Sequence, residues 1–309
     1  MLSYTLRRIL AVIPTLLILI VICFYLMRLA PGGPFTSEKP LPDAVMKNVL
    51  ERYGLDEPLH VQLWTYMKNI LLHFDFGPSF AQKDRTVNDV ISHGFPVTIT
   101  YGFWSAVFVL LCGIPLGVIA ALRHNSFWDY TMTGLAIFSQ IFPNFVLAPL
   151  MVLLFTLWLG LLPGGGWNGG QWAYIVMPAI ALGTSYMASV ARLTRGSMLE
   201  TLNSPFIRTA RAKGLPERTI IWRHALKPAL LPTIAYMSPV FVYMITGSVF
   251  IDVFFSTGGI GQDFIDGAYS RDYSMLLGLA ILYSVLTFAL NLAVDLIYAW
   301  IDPKVRAGL

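Results

Sequence analysis

The sequence predicts an all-α polytopic membrane protein with six transmembrane helices. Of its 309 residues, 56% are hydrophobic and only 12% are charged, and the mean hydropathy is +0.65. Soluble domains carry about 25% charged residues, so this composition is too apolar for a water-soluble fold. Several apolar runs also approach or exceed the roughly 20 residues that an α-helix needs to cross a bilayer.

Six spans account for these runs in order along the chain. The first follows Arg7 and Arg8. It is longer than the roughly 7–15 apolar residues of a signal peptide, so we expect an uncleaved helix. The fourth is expected to continue as helix toward Leu202. The predicted spans cover residues 9–29, 97–122, 131–160, 172–192, 229–251 and 274–301.

Charge predicts the orientation of the spans. Eight Lys or Arg but only two acids lie between Arg192 and Lys227, and basic loops between spans stay on the cytoplasmic side. We therefore expect both termini in the cytoplasm, and we interpret the net charge of +4 as topology rather than nucleic-acid binding. The N-terminal tail and the first span are expected at 1–29, and an external segment at 30–95. A transmembrane core at 96–301 is expected to hold the basic loop 193–228, and a cytoplasmic tail follows at 302–309.

The long segment after the first span is expected to be a small helical extracytoplasmic subdomain. It carries six basic and eight acidic residues, and long loops cross the membrane largely regardless of charge. Apolar residues at helical spacing predict short helices at 42–53 and 60–72. The segment could dock a partner or cover the outer mouth, or it could only pack as a cap on the outer helix ends.

The sequence shows no catalytic motif. G-x-x-x-x-G-K-[ST] and H-E-x-x-H do not occur, so neither a P-loop ATPase nor that zinc-site motif is indicated. Cys23 and Cys112 lie in apolar runs without metal-ligand spacing. The third span carries Gln140 and Asn144 beside Pro143. These polar side chains could line a translocation path or hydrogen-bond a neighbouring helix, and the backbone groups freed by the proline favour a cavity beside Asn144.

The basic loop predicts two short helices bent at Gly214. Ser204 and Pro205 suit a helix start, and Gly214 suits a left-handed C-cap. Small alanines at 210 and 212 would let a partner approach closely. Three arginines offer bidentate donors to acidic partner groups: Arg208, Arg211 and Arg218. A solvated basic face that only fixes topology is the alternative, but the helix signals favour a docking surface.

Aligned on Gly214, this loop resembles the coupling loop of ATP-binding-cassette (ABC) importer permeases, whose consensus is E-A-A, three residues, G, nine residues and I-x-L-P. Ala210, Gly214 and Leu226 match, whereas Arg208 stands at the position of the glutamate. The runs R-T-A-R-A-K-G-L and R-H-A-L-K-P-A-L-L-P resemble the peptide and nickel branch, most closely the B-type subunit of oligopeptide permeases. Further motifs resembling that subunit begin at Phe76, Leu162 and Arg271.

The resemblance implies a multi-pass permease subunit in the cytoplasmic (inner) membrane that imports oligopeptides. It also implies a second homologous permease subunit, two cytoplasmic ATPases that use ATP and Mg, and an extracytoplasmic peptide-binding protein. This chain would bind no cofactor and would be no enzyme. The residues expected to couple it to the ATPases are Arg208, Thr209, Ala210, Arg211, Ala212, Lys213, Gly214, Leu215 and Leu226.

An ion-coupled secondary transporter of a small solute is the alternative class. Such transporters are built from repeats, commonly inverted, with substrate and ion sites near the bilayer midplane. This sequence shows no obvious internal repeat and few charges within its spans. We therefore expect ATP-driven import instead.

Overall fold

Helices form almost all of the structure, a computed structural model that describes residues 2–29, 35, 43–246 and 249–301. Within these residues there is no strand, and one isolated bridge joins Pro78 to Thr86. The predicted all-α class is confirmed, while the predicted tail at 302–309 lies outside the described residues. The main helices are α1 Leu2–Leu29, α2 Asp43–Arg52, α3 Leu59–His73, α4 Val87–Leu122, α5 Phe127–Ile141, α6 Asn144–Met151, α7 Trp172–Leu202, α8 Pro205–Ala212, α9 Glu217–Thr219, α10 Leu226–Ala229, α11 Leu231–Thr246, α12 Val249–Phe254, α13 Ile260–Tyr269 and α14 Tyr273–Ile301.

The described helices include five that are long and apolar enough to cross a membrane, and a bent pair makes six if it counts as one span. The pair is α5 with the stretch Asn144–Trp158, and the bend between them is 101°. The third predicted span is therefore broken, at Phe142 and Pro143. Proline lacks the N–H that would continue α5, and its φ of −60° suits the N-cap of α6. The five single helices are Leu10–Leu29, Val87–Leu122, Trp172–Leu202, Leu231–Phe254 and Tyr273–Val294.

Two of the spanning helices extend beyond their predicted spans, and for one of them the extension was predicted. Helix α4 has 36 residues and begins at Val87, ten residues before the predicted start of the second span. At 1.5 Å per residue it is about 54 Å long, which exceeds the roughly 30 Å of the hydrocarbon core. Helix α7 has 31 residues and continues to Leu202 as predicted. Both helices are therefore long enough to extend beyond the apolar layer.

The first of two compact units consists of the described residues up to Thr98 together with Gly258–Leu292. Phe24 of α1 packs on Leu277 and Ile281 of α14. The buried Asp272 carboxylate accepts hydrogen bonds from the Ser79 hydroxyl and from three backbone N–H groups, those of Phe80 at 3.0 Å, Ala81 at 3.2 Å and Met275 at 3.1 Å. The motifs that begin at Phe76 and Arg271 therefore meet in this unit. The predicted short helices at 42–53 and 60–72 are confirmed as α2 and α3.

The second unit contains Ile99–Thr257 and is built around α7. Val190 of α7 packs with Val109 of α4 and with Met237 and Met244 of α11. Close approach of α4 and α7 depends on Gly117, because a Cβ there would lie 2.4 Å from the Ala191 carbonyl oxygen. This packing fixes α7, from whose end the basic loop emerges.

Candidate functional site

The short helix α8 follows directly after α7. Its first residue is Pro205 and its N-cap is Ser204, as predicted. The Ser204 hydroxyl, however, makes no cap bond to α8 and donates instead to the Thr201 carbonyl at 2.6 Å. The proline, whose fixed φ suits a first helical position, therefore starts α8, and the serine side chain is bonded back toward the end of α7.

Gly214 ends α8 with a left-handed backbone, at a φ of +73°. Its N–H donates to the Arg211 carbonyl at 2.9 Å, and the Leu215 N–H donates to the Ala210 carbonyl at 3.4 Å. These two bonds are those of a Schellman C-cap, in which glycine avoids the strain that a Cβ would meet. The predicted bend at Gly214 is confirmed, and it directs the chain into α9.

The inner face of α8 packs into the second unit. Ile207 is fully buried and Ala210 is 7% exposed, and Leu226 packs on the same cluster. Burial of one such aliphatic side chain contributes about 2 kcal/mol, so α8 is held on the end of α7. Ala210 thus packs inward, and the expectation that it leaves room for a partner is wrong. The buried residues around it are Ala121, Met198, Ile220, Ala225 and Ala229.

The outer face of α8 and of the turn is exposed, basic and partly aromatic. Phe206 is 50% exposed and Leu215 37%. Large exposed apolar patches rimmed by polar residues mark interaction surfaces, whereas single exposed apolar residues are common on any protein. The expected coupling residues that share this exposed surface are Arg208, Thr209, Arg211, Ala212, Lys213, Gly214 and Leu215.

Arg211 is bonded within the chain. Its Nε donates to Glu217 Oε1 at 2.7 Å, and its Nη2 donates to Oε2 at 3.5 Å. This bond to Glu217 raises the pKa of Arg211, and the pair bridges the turn at Gly214. Arg211 thus shares its donors with Glu217 inside the chain, although the pair is exposed, whereas Arg208 and Arg218 lie exposed in positions that suit an acidic partner.

A second arginine pair joins α5 to α7; we call it the α5–α7 latch, formed by Asp129 and Arg195. Arg195 Nε donates to Asp129 Oδ1 at 2.6 Å, and Nη2 donates to Oδ2 at 2.8 Å. The Asp129 side chain is 2% exposed, and its carboxylate also accepts from the Asn125 N–H at 2.9 Å and the Thr133 hydroxyl at 3.3 Å. On α7, the latch arginine lies about two turns before the helix ends at Leu202.

Sequence reasoning missed Asp129, although a signal for it exists. Ser126 is the N-cap of α5 and accepts from the Asp129 N–H at 3.4 Å. Ser-x-x-Asp is a helix-start pattern, so the residue could have been placed in the first turn of α5. Its pairing with Arg195, 66 positions away, carries no local signal.

Gln140 and Asn144 line one cavity of about 490 Å³ in the second unit. The bend at Pro143 brings them together, since they belong to α5 and α6 on either side of it. Arg192, one turn before the latch arginine, donates to Gln140 Oε1 at 2.5 Å. The remaining lining residues are Phe145, Ser185, Tyr186, Ser189, Tyr236 and Phe250.

No group of three or more His, Cys, Asp or Glu side chains that could hold a metal ion occurs in the part of the chain that the structure describes. His124 belongs to the latch, where its Nδ1 lies 3.2 Å from Asp129 Oδ2 and 3.3 Å from Arg195 Nη2. The site thus consists of an exposed basic face on α8, a buried ion pair and a polar cavity.

Comparison with protein families identifies two matches that together cover most of the chain. Residues 113–307 match the binding-protein-dependent transport system inner membrane component, and residues 1–102 match the N-terminal part of such components. The chain is 53% identical to the oligopeptide transport system permease protein OppB of Salmonella typhimurium, over 99% of this chain and 100% of the relative. It is 40% identical to the dipeptide transport system permease protein DppB of Bacillus subtilis, over 99% and 98%.

The fold is also similar to that of solved structures. Inward facing conformations of the MetNI methionine ABC transporter match 69% of this chain and 96% of the transporter chain, with TM-scores of 0.57 and 0.58. The sequence identity is 18%, so the similarity concerns the fold alone.

Proposed function

The chain belongs to the family of binding-protein-dependent transport system inner membrane components, and from this premise we propose that it is the permease subunit of an ABC importer of oligopeptides. The observation that carries the proposal is the two-sided helix α8: Ile207 and Ala210 anchor one side, and the other side is exposed and basic. Relatives named as peptide permeases, 40–53% identical over nearly the full chain, support the substrate class.

We place both termini and the basic loop 193–228 in the cytoplasm, and the segment 30–95 outside. Basic loops on the cytoplasmic side support this orientation. The parts of the chain are then 1–29, 30–95, 96–301 and 302–309. A labelling test is direct: in a background without Cys23 and Cys112, a cysteine replacing exposed Lys213 should react only with cytoplasmic reagent. One replacing exposed Lys68 should react only from outside, and the reverse pattern would contradict the orientation.

The exposed side of α8 docks on a cytoplasmic ATPase subunit in this proposal. ATP and Mg are bound and used by two such subunits, so this chain performs transport rather than catalysis. The docking residues are Arg208, Thr209, Arg211, Ala212, Lys213, Gly214 and Leu215, with Ala210 and Leu226 supporting them from inside. Arg208 at the usual glutamate position means that docking rests on cations and shape.

Movement of α8 is carried into the membrane by α7. Packing of Ile207 on Met198 ties α8 to α7, and the bidentate latch ties α7 to α5 at 2.6 and 2.8 Å. Since α5 ends at the bend beside Gln140, closure of the ATPases would shift the walls of the cavity. Rigid-body movement of packed helices is an established route for such switching.

The cavity lined by Gln140 and Asn144 is proposed as part of the translocation path. A second homologous permease subunit would complete the path, and an extracytoplasmic peptide-binding protein would deliver the peptide. The external segment with α2 and α3 is where we expect that protein to dock.

The proposal is tested with the complete transporter in liposomes. Peptide-loaded binding protein added on the outer side should stimulate ATP hydrolysis, and peptide uptake should require ATP. Uptake that persists without ATP and collapses with the proton gradient would overturn the proposal in favour of a secondary transporter.

A further inference from the structure

The cavity bordered by α5, α6, α7 and α11 holds an unsatisfied acceptor. Asn144 Oδ1 is buried and has no hydrogen-bond partner, and Asn144 lines the cavity. An amide oxygen that is buried without a donor destabilises the protein, because it has lost its hydrogen bonds to water. A ligand that donates an N–H to this oxygen would remove the penalty, so the cavity suits a ligand with a hydrogen-bond donor at this point.

Two of the lining residues, Gln140 and Ser189, contact a cation beside the cavity, Arg192, which has no ion-pair partner among the described residues. Arg192 Nη1 donates to Gln140 Oε1 at 2.5 Å, and Nη2 lies 3.5 Å from Ser189 Oγ. Both acceptors are neutral, and the ion pairs found within the described residues do not include Arg192. By contrast, Arg195 one turn further on the same helix holds Asp129.

Building on the proposed function, we propose that this cavity is a subsite for the carboxyl end of the peptide. The terminal carboxylate takes the place of Gln140 on the Arg192 guanidinium, and the last main-chain N–H donates to Asn144 Oδ1. A carboxylate matches the two parallel donors of a guanidinium better than a neutral amide does.

This pairing explains how one cavity can accept peptides of different sequence. The terminal carboxylate and, unless the last residue is proline, the last N–H are present in every peptide, whereas side chains differ. The rest of the lining is hydroxyl and aromatic, with Tyr186, Tyr236 and Phe145 among its members. Such walls provide apolar contact without selecting one side chain.

The experiment compares a peptide with its C-terminally amidated form in liposomes that contain the whole transporter and its binding protein. Uptake of each is measured for the wild type, Arg192→Gln and Arg192→Lys. We expect the wild type to prefer the free acid. Loss of one charge-assisted hydrogen bond should lower uptake of the free acid about tenfold in Arg192→Gln and leave the amide nearly unchanged. Arg192→Lys should retain part of the preference.

Selectivity of the binding protein cancels in this design, because all variants receive the same loaded protein and only the ratio of acid to amide uptake is compared. An equal loss of uptake for acid and amide in Arg192→Gln would assign Arg192 a structural role and overturn the subsite. A wild type that imports both forms equally would overturn it too. A wild type that imports neither in the presence of ATP would overturn the proposed function itself.

A second arm tests the acceptor. Asn144→Leu removes Oδ1, and Asn144→Asp keeps an oxygen acceptor at that position. We expect Asn144→Leu to lower uptake of an ordinary peptide but not of one methylated on its last main-chain nitrogen. An equal effect on both peptides would contradict the role of Asn144.

Discussion

Two arginine–carboxylate pairs lie on either side of the α7–α8 junction, and their Nε–O distances are nearly equal: 2.6 Å for Arg195–Asp129 and 2.7 Å for Arg211–Glu217. Their surroundings differ. The side chains of the first pair are 27% and 2% exposed, and those of the second 45% and 60%. The carboxylate of the first pair also accepts bonds from Asn125 and Thr133.

The difference in burial gives the two pairs different roles. An exposed pair is screened by water and is worth about 0–1 kcal/mol. A buried pair adds little over apolar packing, but removal of one partner leaves an uncompensated charge. We therefore expect the latch to hold α5 and α7 rigidly together. The pair across the Gly214 turn should contribute little to stability.

The largest expected effect comes from Asp129→Asn. The variant leaves the Arg195 guanidinium without its charge partner, which should lower the free energy of unfolding by about 3 kcal/mol. The thermal unfolding midpoint of the purified transporter in nanodiscs measures this. Glu217→Gln is the matched control, because it makes the same chemical change in the exposed pair. Equal shifts of the midpoint in both variants would break the distinction between the two pairs.

The next effect concerns the turn that the exposed pair bridges. Gly214→Val places a β-branched residue at a φ of +73°, where an L-residue is strained by about 1–2 kcal/mol. No atom lies within 4 Å of the added Cβ, so the strain is in the backbone and not in packing. We expect membrane insertion to be normal and peptide uptake per ATP hydrolysed to fall.

Gly214→Asn is the control for this turn, since asparagine tolerates the left-handed conformation better than valine. It should retain most of the coupling between ATP hydrolysis and uptake. Normal coupling in Gly214→Val would show that the geometry of the bend is not needed for docking.

A smaller effect is expected from Arg211→Gln and Glu217→Gln. Each removes the exposed pair and should change the free energy of unfolding by less than about 1 kcal/mol. The difference from wild type should shrink further at 1 M salt, where the Debye length is about 3 Å. Thermal unfolding at low and high salt measures both. A large loss of unfolding free energy that salt does not change would show that this exposed pair behaves like the buried latch.

The smallest effect concerns a third pair of intermediate burial, Arg85–Asp263 in the first unit. Its atoms are 3.4 Å apart, with side chains 39% and 14% exposed. Burial raises the pKa of Asp263 above the usual 3.8, although Arg85 opposes this shift. The folded protein then binds the proton more tightly than the unfolded chain. Protonation of Asp263 therefore stabilises the folded protein at pH values below the usual pKa. This contribution is lost as the pH rises through the pKa of Asp263 in the folded protein.

Asp263→Asn should therefore flatten the pH dependence of stability between about pH 3.8, the usual value, and neutrality. Relative to wild type, the variant should gain stability as pH rises through this window. Unfolding midpoints measured across the window provide the test. An unchanged difference between the two proteins at all pH values would mean that Asp263 titrates alike in the folded and unfolded chain.

Most of the coupling segment could be predicted from local sequence. Pro205 and Gly214 set the start and the end of α8 through backbone preferences that depend on neighbouring residues only. The side of α8 that faces inward could not be read in this way. Ala210 was interpreted as an exposed contact, yet packing against Ala225 and Ile220 buries it, because the returning chain covers that face.

The geometry of the cavity could not be predicted from local sequence either. Gln140, Pro143 and Asn144 were noted in the third span, since proline and polar groups are costly within an apolar helix, yet that span was predicted as one stretch over 131–160. The 101° bend and the approach of Arg192 to Gln140 depend on how α5 and α6 pack on α7. No local pattern contains that information.

Sequence by itself determined the helical membrane class and the bend at Gly214, because apolar length and glycine act through short-range physics. Tertiary structure alone decided that Asp129 pairs with Arg195 and that Glu217 pairs with Arg211. It also decided that Arg192 donates to the neutral side-chain amide of Gln140 rather than to a carboxylate. Ion pairing between distant residues depends on distance and burial in the packed molecule. Arginines that look alike in the sequence therefore differ in their partners only once the helices have packed.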